Sequence, residues 1–202
     1  MQWNLQINMK GTIKANTVDR YLRPIRDQIM GLIVPNTTVI EFGCGNGDLL
    51  FKLSKKIESG IGVDKSEKLI AYAKVHKKRE NIENLLFKTI DLTREPFLNT
   101  PKSYGVASLL FHVLTWHEAI ELLNQLIKIS ETTIICGFSK PKNVKQQALL
   151  WLDQRFTGHY TNYQAYKKNG YIQGLLNTIE GIEFTEIETF DPVITIYQVT
   201  KK

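Results

Sequence analysis

The sequence predicts an α/β fold built on a mostly parallel sheet, and three observations predict it. Short apolar runs alternate with segments of helical periodicity from Thr38 onward, the first run ends in a glycine-rich turn, and the last two runs follow one another with no helix between them. Alternating strand and helix implies right-handed crossovers that cover both faces of the sheet with helices.

Taken in order, Val18 to Ile33 reads as a helix interrupted near Pro24, whose ring cannot donate into a helix interior, so a kink or two short helices are expected. Thr38 to Phe42 (TVIEF), Ile61 to Asp64 (IGVD), Leu85 to Ile90 (LLFKTI), Val106 to Leu110 (VASLL) and Thr132 to Phe138 (TTIICGF) are short runs rich in β-branched residues, Leu and Phe, and read as strands. Helical spacing fills the gaps at Asp48 to Ile57, Ser66 to Arg79 and Trp116 to Ile129. Leu49, Leu50 and Leu53 make one face of the first of these, and Ile120, Leu123 and Ile127 one face of the third. Glu183 to Thr189 and Val193 to Thr200, joined by Phe190-Asp191-Pro192, should pair as an antiparallel hairpin. No repeat, low-complexity tract or linker divides the 202 residues, so one domain is expected.

The composition, 43% hydrophobic and 23% charged, is too apolar for disorder. No apolar stretch reaches the ~20 residues of a membrane span and Met1-Gln2-Trp3-Asn4 lacks the pattern of a signal peptide, so a cytoplasmic protein without a membrane partner is the expectation. Cys44 and Cys136 form no CxxC or metal-ligand pattern, and no ligand-spaced His or carboxylate pair implies a metal. The net charge of +6 permits an acidic partner. Lys74, Lys77 and Lys78 nevertheless share a helix with Arg79 and Glu80, which reads first as a solvated face.

A strand running into Gly43-Cys44-Gly45-Asn46-Gly47 and then a helix brings backbone close to a ligand at the carboxyl edge of a sheet. Asp48 stands where a dinucleotide fingerprint needs a small residue, and its charge would oppose a pyrophosphate, which disfavours NAD. Asp64 ends the second strand about 20 residues beyond the first glycine, where a carboxylate accepts from both hydroxyls of a ribose. Asp91 follows the third strand, placed to accept from an adenine amino group while Leu92 covers the ring. Three strand ends converge on one nucleoside.

With these residues in step, the chain from Thr38 to Lys202 resembles the class I S-adenosylmethionine-dependent methyltransferases. Val39-Ile40-Glu41-Phe42-Gly43-Cys44-Gly45-Asn46-Gly47 resembles their first motif, including the acidic Glu41 two residues before the first glycine. Gly62-Val63-Asp64, followed by Lys65, resembles the second, and Ile90-Asp91-Leu92 the adenine-contacting segment. Tyr104 to Leu114 resembles the fourth strand and its exit, which implies that Leu110 and Phe111 lie beside the methionine part of the cofactor. Many relatives carry Asp where Gly105 stands. The resemblance implies a Rossmann-like seven-stranded sheet in the order 3214576, with the ligand at the switch point between strands one and four. It also divides the chain into an N-terminal helical lid (1–37), a cofactor-binding half (38–138) and substrate-side helices with the terminal hairpin (139–202).

Methyl transfer from a sulfonium is an in-line displacement, so alignment of the nucleophile is the protein's main contribution, roughly 7 to 11 kcal/mol at best. A positioned histidine adds about 100- to 10,000-fold where the acceptor must lose a proton. His112 is the first candidate, with His159 as a second and His117 also near the fourth strand. Tyr160, Tyr163, Tyr166 and Tyr171, with Trp151 and Phe156, would wall an apolar acceptor or simply pack in the core. Tyr21 and Arg23 mark the N-terminal helix as a second lid. The expected function is transfer of a methyl group to O or N of a small molecule. The alternatives are an RNA or protein methyltransferase, or a non-catalytic S-adenosylmethionine-binding protein. Nucleic acid is not the favoured partner: no Asn/Asp-Pro-Pro-aromatic tetrapeptide and no cysteine nucleophile follow the fourth strand.

Overall fold

The computed structural model describes residues 20–95, 97 and 101–202. Its seven strands form one sheet in the order β3-β2-β1-β4-β5-β7-β6, the order the resemblance implies. β1 (Thr38–Phe42), β2 (Ser59–Asp64), β3 (Leu85–Thr89), β4 (Lys102–Ser108) and β5 (Ser130–Phe138) are mutually parallel, whereas β7 (Ile194–Lys201) runs antiparallel to both β5 and β6 (Ile182–Glu188). Four of the five residues of β1 are buried, as a central parallel strand covered on both faces requires.

The helices are α1 (20–32 among the described residues), α2 (Asp48–Leu53), α3 (Glu67–Arg79), α4 (Trp116–Lys128), α5 (Val144–Arg155), α6 (Tyr160–Lys168) and α7 (Tyr171–Leu176). Their ends are set locally. The Ser66 hydroxyl accepts from the Leu69 amide at the start of α3, and Thr115 and Glu118 make a reciprocal capping box at the start of α4. The buried face of α4 is Ala119, Leu122, Leu123, Leu126 and Ile127, so Leu123 and Ile127 lie inside as expected while Ile120 sits at the margin.

Several boundaries differ from the sequence reading, each for a local reason. α1 passes through Pro24 without a break; the partner its ring forgoes is the carbonyl of Arg20, an exposed residue. The expected start of that helix, Val18, lies outside the described residues. α2 stops at Leu53, because the Ser54 hydroxyl donates back to the Phe51 carbonyl and the Lys56 amide turns onto Leu53. β4 begins at Lys102 and ends at Ser108: the Leu109 amide donates to the Cys136 carbonyl, and Leu109 then takes a left-handed φ of 52°. Leu110 and Phe111 therefore leave the sheet and enter a short 3-10 turn, Phe111–Val113. No helix among the described residues is long and apolar enough to cross a membrane.

Gly105 lies in the middle of β4, opposite Ile40, and a Cβ there would meet Ser130 Oγ at 2.6 Å and Leu126 Cδ1 at 2.9 Å. The backbone of β4 thus lies close under α4 and has no room for the aspartate of other sequences. Replacing Gly105 by Val should overpack this layer and lower the stability by about 1–3 kcal/mol, read by urea or thermal unfolding.

Candidate active site

The carboxyl edge of β1 turns into α2 through three glycines with left-handed backbones, Gly43 at φ 71°, Gly45 at 56° and Gly47 at 81°. Any other residue at these angles is strained. The turn is anchored from the neighbouring strand, since the Val63 carbonyl accepts from the amides of both Gly43 (2.8 Å) and Cys44 (3.1 Å). Asp64 Oδ2 accepts from the Gly45 amide at 2.9 Å, and its Oδ1 accepts from Ser66 at 2.8 Å. The amides of Gly43, Cys44 and Gly45 are thus spent inside the protein, and the loop offers a ligand shape rather than donors. A Cβ on Gly45 would meet nothing within 4 Å, so the loop is open there.

Beneath the loop lies Glu41, 5% exposed, whose Oε2 has no hydrogen-bond partner among the described residues. Burial raises its pKa to about 8 against the pull of Arg26, with Asp48 and Asp64 adding to the rise. A cavity of about 150 Å³ joins Glu41, Gly43, Cys44, Gly45, Ser108 and Leu109, and α1 covers it with Leu22 and Arg26. Arg26 Nη1 reaches Asp48 Oδ2 at 3.1 Å, and Lys52 Nζ holds the same oxygen at 2.7 Å. Arg26 lines this cavity and was missed by sequence reasoning, since its partner stands in the next helix and no motif marks it; the residues picked out on that helix were Tyr21 and Arg23.

The other expected positions surround this cavity or its rim. Cys44 is buried, and burial pushes its thiol pKa well up, leaving an unreactive side chain. Lys65 is exposed beside Asp64. Asp91 Oδ1 is occupied by the Thr93 hydroxyl at 2.7 Å and the Thr93 amide at 3.2 Å, which hold its pKa down; Arg94 lies 3.5 Å from its other oxygen. Leu92 is partly buried against the core, Leu110 packs over Gly43, and Phe111 is buried.

His112 and His159 come together, with ring centroids 5.4 Å apart, the first in the turn after β4 and the second at the N-cap of α6. His112 also packs edge-on against Phe138 at 4.7 Å. Burial lowers the pKa of His112 to about 3 and lowers that of the less buried His159 in the same direction; Lys65 adds to the fall at His159 and Asp153 opposes it. His117 points away, exposed and paired with Glu121 at 3.2 Å. Of the aromatic residues, Tyr163, Tyr166 and Tyr171 are core, and Tyr166 donates to the Phe138 carbonyl at 3.2 Å; Trp151 and Phe156 are exposed.

The ionisation of Glu41 yields a test. The folded protein keeps Glu41 protonated up to about pH 8, whereas its unperturbed value is 4.5, so stability falls as pH rises through that window. Glu41→Gln should remove this fall, leaving stability near pH 4 little changed and raising it above pH 8 by several kcal/mol, about 1.4 kcal/mol for each unit between the folded and unfolded pKa. Thermal unfolding at the two pH values checks it; equal differences at both would reject the assignment.

Comparison with known proteins agrees with this geometry. A family model described as a methyltransferase domain matches residues 33–147. Protein 235L of Invertebrate iridescent virus 6, which carries a methyltransferase designation, is 37% identical over 86 residues; the match covers 42% of this chain and 29% of that protein, so less than a third of its length is compared. An O-methyltransferase family protein from Burkholderia thailandensis superposes with a TM-score of 0.70 at 15% identity, covering 92% of this chain and 57% of that one. Magnesium protoporphyrin IX methyltransferase from Synechocystis PCC 6803, solved with bound SAH, gives 0.60 at 18% identity, covering 100% of this chain and 88% of that one. The family model spans more than half of the chain and the sheet has the order the motifs require, so the chain belongs to the class I S-adenosylmethionine-dependent methyltransferase family.

Proposed function

We propose that this chain transfers the methyl group of S-adenosylmethionine to an oxygen or nitrogen of a small-molecule acceptor. The observation that carries the reading is the unpaired, buried Glu41 oxygen beneath a glycine loop with open space at Gly45. A buried carboxylate with no partner is costly, and a ligand ammonium both removes that cost and favours the ionised form. Arg26 supplies the opposite charge for a ligand carboxylate, a role left to it because the amides of Gly43, Cys44 and Gly45 are already bonded. Each oxygen of Asp64 keeps a lone pair beyond its amide bond, enough to receive two ribose hydroxyls next to Lys65. Asp91 and Leu92 serve the adenine, with Asp91 oriented by Thr93. Leu110 and Phe111 close the methionine side.

When bound, the cofactor supplies an electrophilic methyl on a positively charged sulfur that leaves as a neutral thioether. The chain's own contribution is alignment and water exclusion. His159 is the better proton acceptor of the facing pair, because it is less buried, while His112 stays neutral and fixes its ring. The substrate-side elements are those from 139 onward, and α1 is the lid.

Calorimetric titration with S-adenosylmethionine tests the reading. Wild type should bind in the micromolar range, and Asp64→Ala and Arg26→Ala should each weaken binding by about tenfold or more, corresponding to about 1.4 kcal/mol or more. Silence in wild type overturns the proposal. With binding established, His159→Asn should leave affinity unchanged and lower the turnover of hydroxyl or protonated-amine acceptors by about 100-fold or more; unchanged turnover removes His159 from the chemistry.

A further inference from the structure

α5 carries apolar residues on both of its faces. Its inner side buries Leu150 and Gln154, while Val144 (80% exposed), Leu149 (59%), Leu152 (54%) and Phe156 (83%) project outward. At about 100° per residue Val144, Leu149 and Leu152 fall within an arc of roughly 140°, and Phe156 follows as the C-cap of the helix. An exposed apolar arc of this width marks a surface that meets a partner. Nothing among the described residues covers this one, and its side chains protrude from a convex ridge instead of lining a pocket.

Charge decides what fits the ridge. From Ser139 to Lys168 the chain carries Lys140, Lys142, Lys145, Arg155, Lys167 and Lys168 against Asp153 alone, a net +5 in a chain whose total is +6. Lys142 is engaged by Glu188 at 2.8 Å, with Lys140 lining the same cavity beside Glu186 and Asp191, and Arg155 lies over the Tyr160 ring at 5.0 Å; Lys145 and Lys168 are exposed. Lys145 sits within the apolar arc itself, where its stem packs beside aliphatic neighbours and its ammonium reaches outward.

We propose that α5 docks this protein on an anionic lipid surface, with Val144, Leu149, Leu152 and Phe156 entering the headgroup boundary and Lys140, Lys145, Lys167 and Lys168 meeting the lipid phosphates. Protruding apolar side chains flanked by basic ones are the chemistry of a helix lying in the plane of a membrane interface, which needs no transmembrane span. A second copy of the chain would set two faces of the same positive sign against each other. Nucleic acid would match the charge but gives three exposed aliphatic side chains no role, since it offers stacking and phosphate contacts. The face borders the site as well: Asp153 of α5 bears electrostatically on Tyr21 of α1 and on His159. Docking would present the mouth of the site to the lipid, and this inference stands apart from the methyl-transfer reading.

The experiment is flotation of the full-length protein with phosphatidylcholine vesicles, with and without phosphatidylserine, at low and high salt. Wild type should float with the anionic vesicles, less so at high salt, and remain behind with neutral ones. Leu152→Glu/Phe156→Glu and Lys140→Glu/Lys145→Glu should each reduce binding at least tenfold with unchanged melting temperatures, since all four side chains are solvent-facing. The proposal is overturned if wild type fails to float, as it would if another part of the chain covers the ridge. It is overturned equally if the apolar double variant floats like wild type, if that variant instead dissolves a dimer, or if single-stranded RNA binds through the lysines without the apolar residues.

Discussion

Everything at the carboxyl edge of the sheet depends on how the Val63 carbonyl and the Asp64 carboxylate hold the turn after β1. Two amides converge on one oxygen of the neighbouring strand, and a third is taken by the carboxylate one residue further along. The register of β1 against β2, Phe42 opposite Val63, makes this geometry automatic once the two strands pair. Glycine is needed because the turn bends through left-handed angles that a Cβ resists, and a Cβ on Gly47 would meet the Phe87 ring at 2.6 Å. The result is a rim whose amides at Gly43, Cys44 and Gly45 are all satisfied within the chain.

The side chains around this rim are arranged as opposites. The Oε2 atom of buried Glu41 has no hydrogen-bond partner among the described residues, while Arg26 of α1 is tied to Asp48. Holding a polar group unsatisfied costs stability, and such costs persist where binding recovers them. Leu109 adds a second local cost at the same cavity, because a branched residue in the left-handed region is strained by about 1–2 kcal/mol. Strain and unmet hydrogen bonding thus collect where β1 and β4 part, the switch point at which open α/β sheets bind ligands.

The sequence discloses features carried by short stretches of chain. Strand, glycine turn and helix are contiguous from Thr38 to Leu53, so both the fold class and Asp64 could be read from periodicity and spacing. The hairpin of β6 and β7 was legible because no helical pattern intervenes. Arg26 was hidden, since its meaning depends on Asp48 arriving from another helix. The meeting of His112 with His159 was hidden too: each was a candidate singly, and only the packing of α6 against the turn after β4 joins them. The end of β4 was misplaced because apolar Leu109 and Leu110 continue the pattern of a strand while the backbone has already turned. The exposed ridge of α5 escaped notice because the same residues, read as composition, look like ordinary core.

α1 is fastened at both sides of the cleft. Arg26 grips Asp48 on one side, and on the other Tyr21 donates to Asp191 Oδ2 at 2.5 Å while its ring meets Phe190 edge-on at 5.2 Å. Gln28 adds a bond to the Glu188 carbonyl at 3.3 Å. The first helix therefore acts as a crossbar between the loop after β1 and the turn of the terminal hairpin, two regions separated by more than a hundred residues of chain. It also lines the cavity beneath that loop, through Leu22 and Arg26. Because one fastening is a partly exposed ion pair and the other joins ring packing to a hydroxyl–carboxylate bond, the two respond to different conditions: ionic strength loosens the end at Asp48, and loss of apolar contact loosens the end at Phe190.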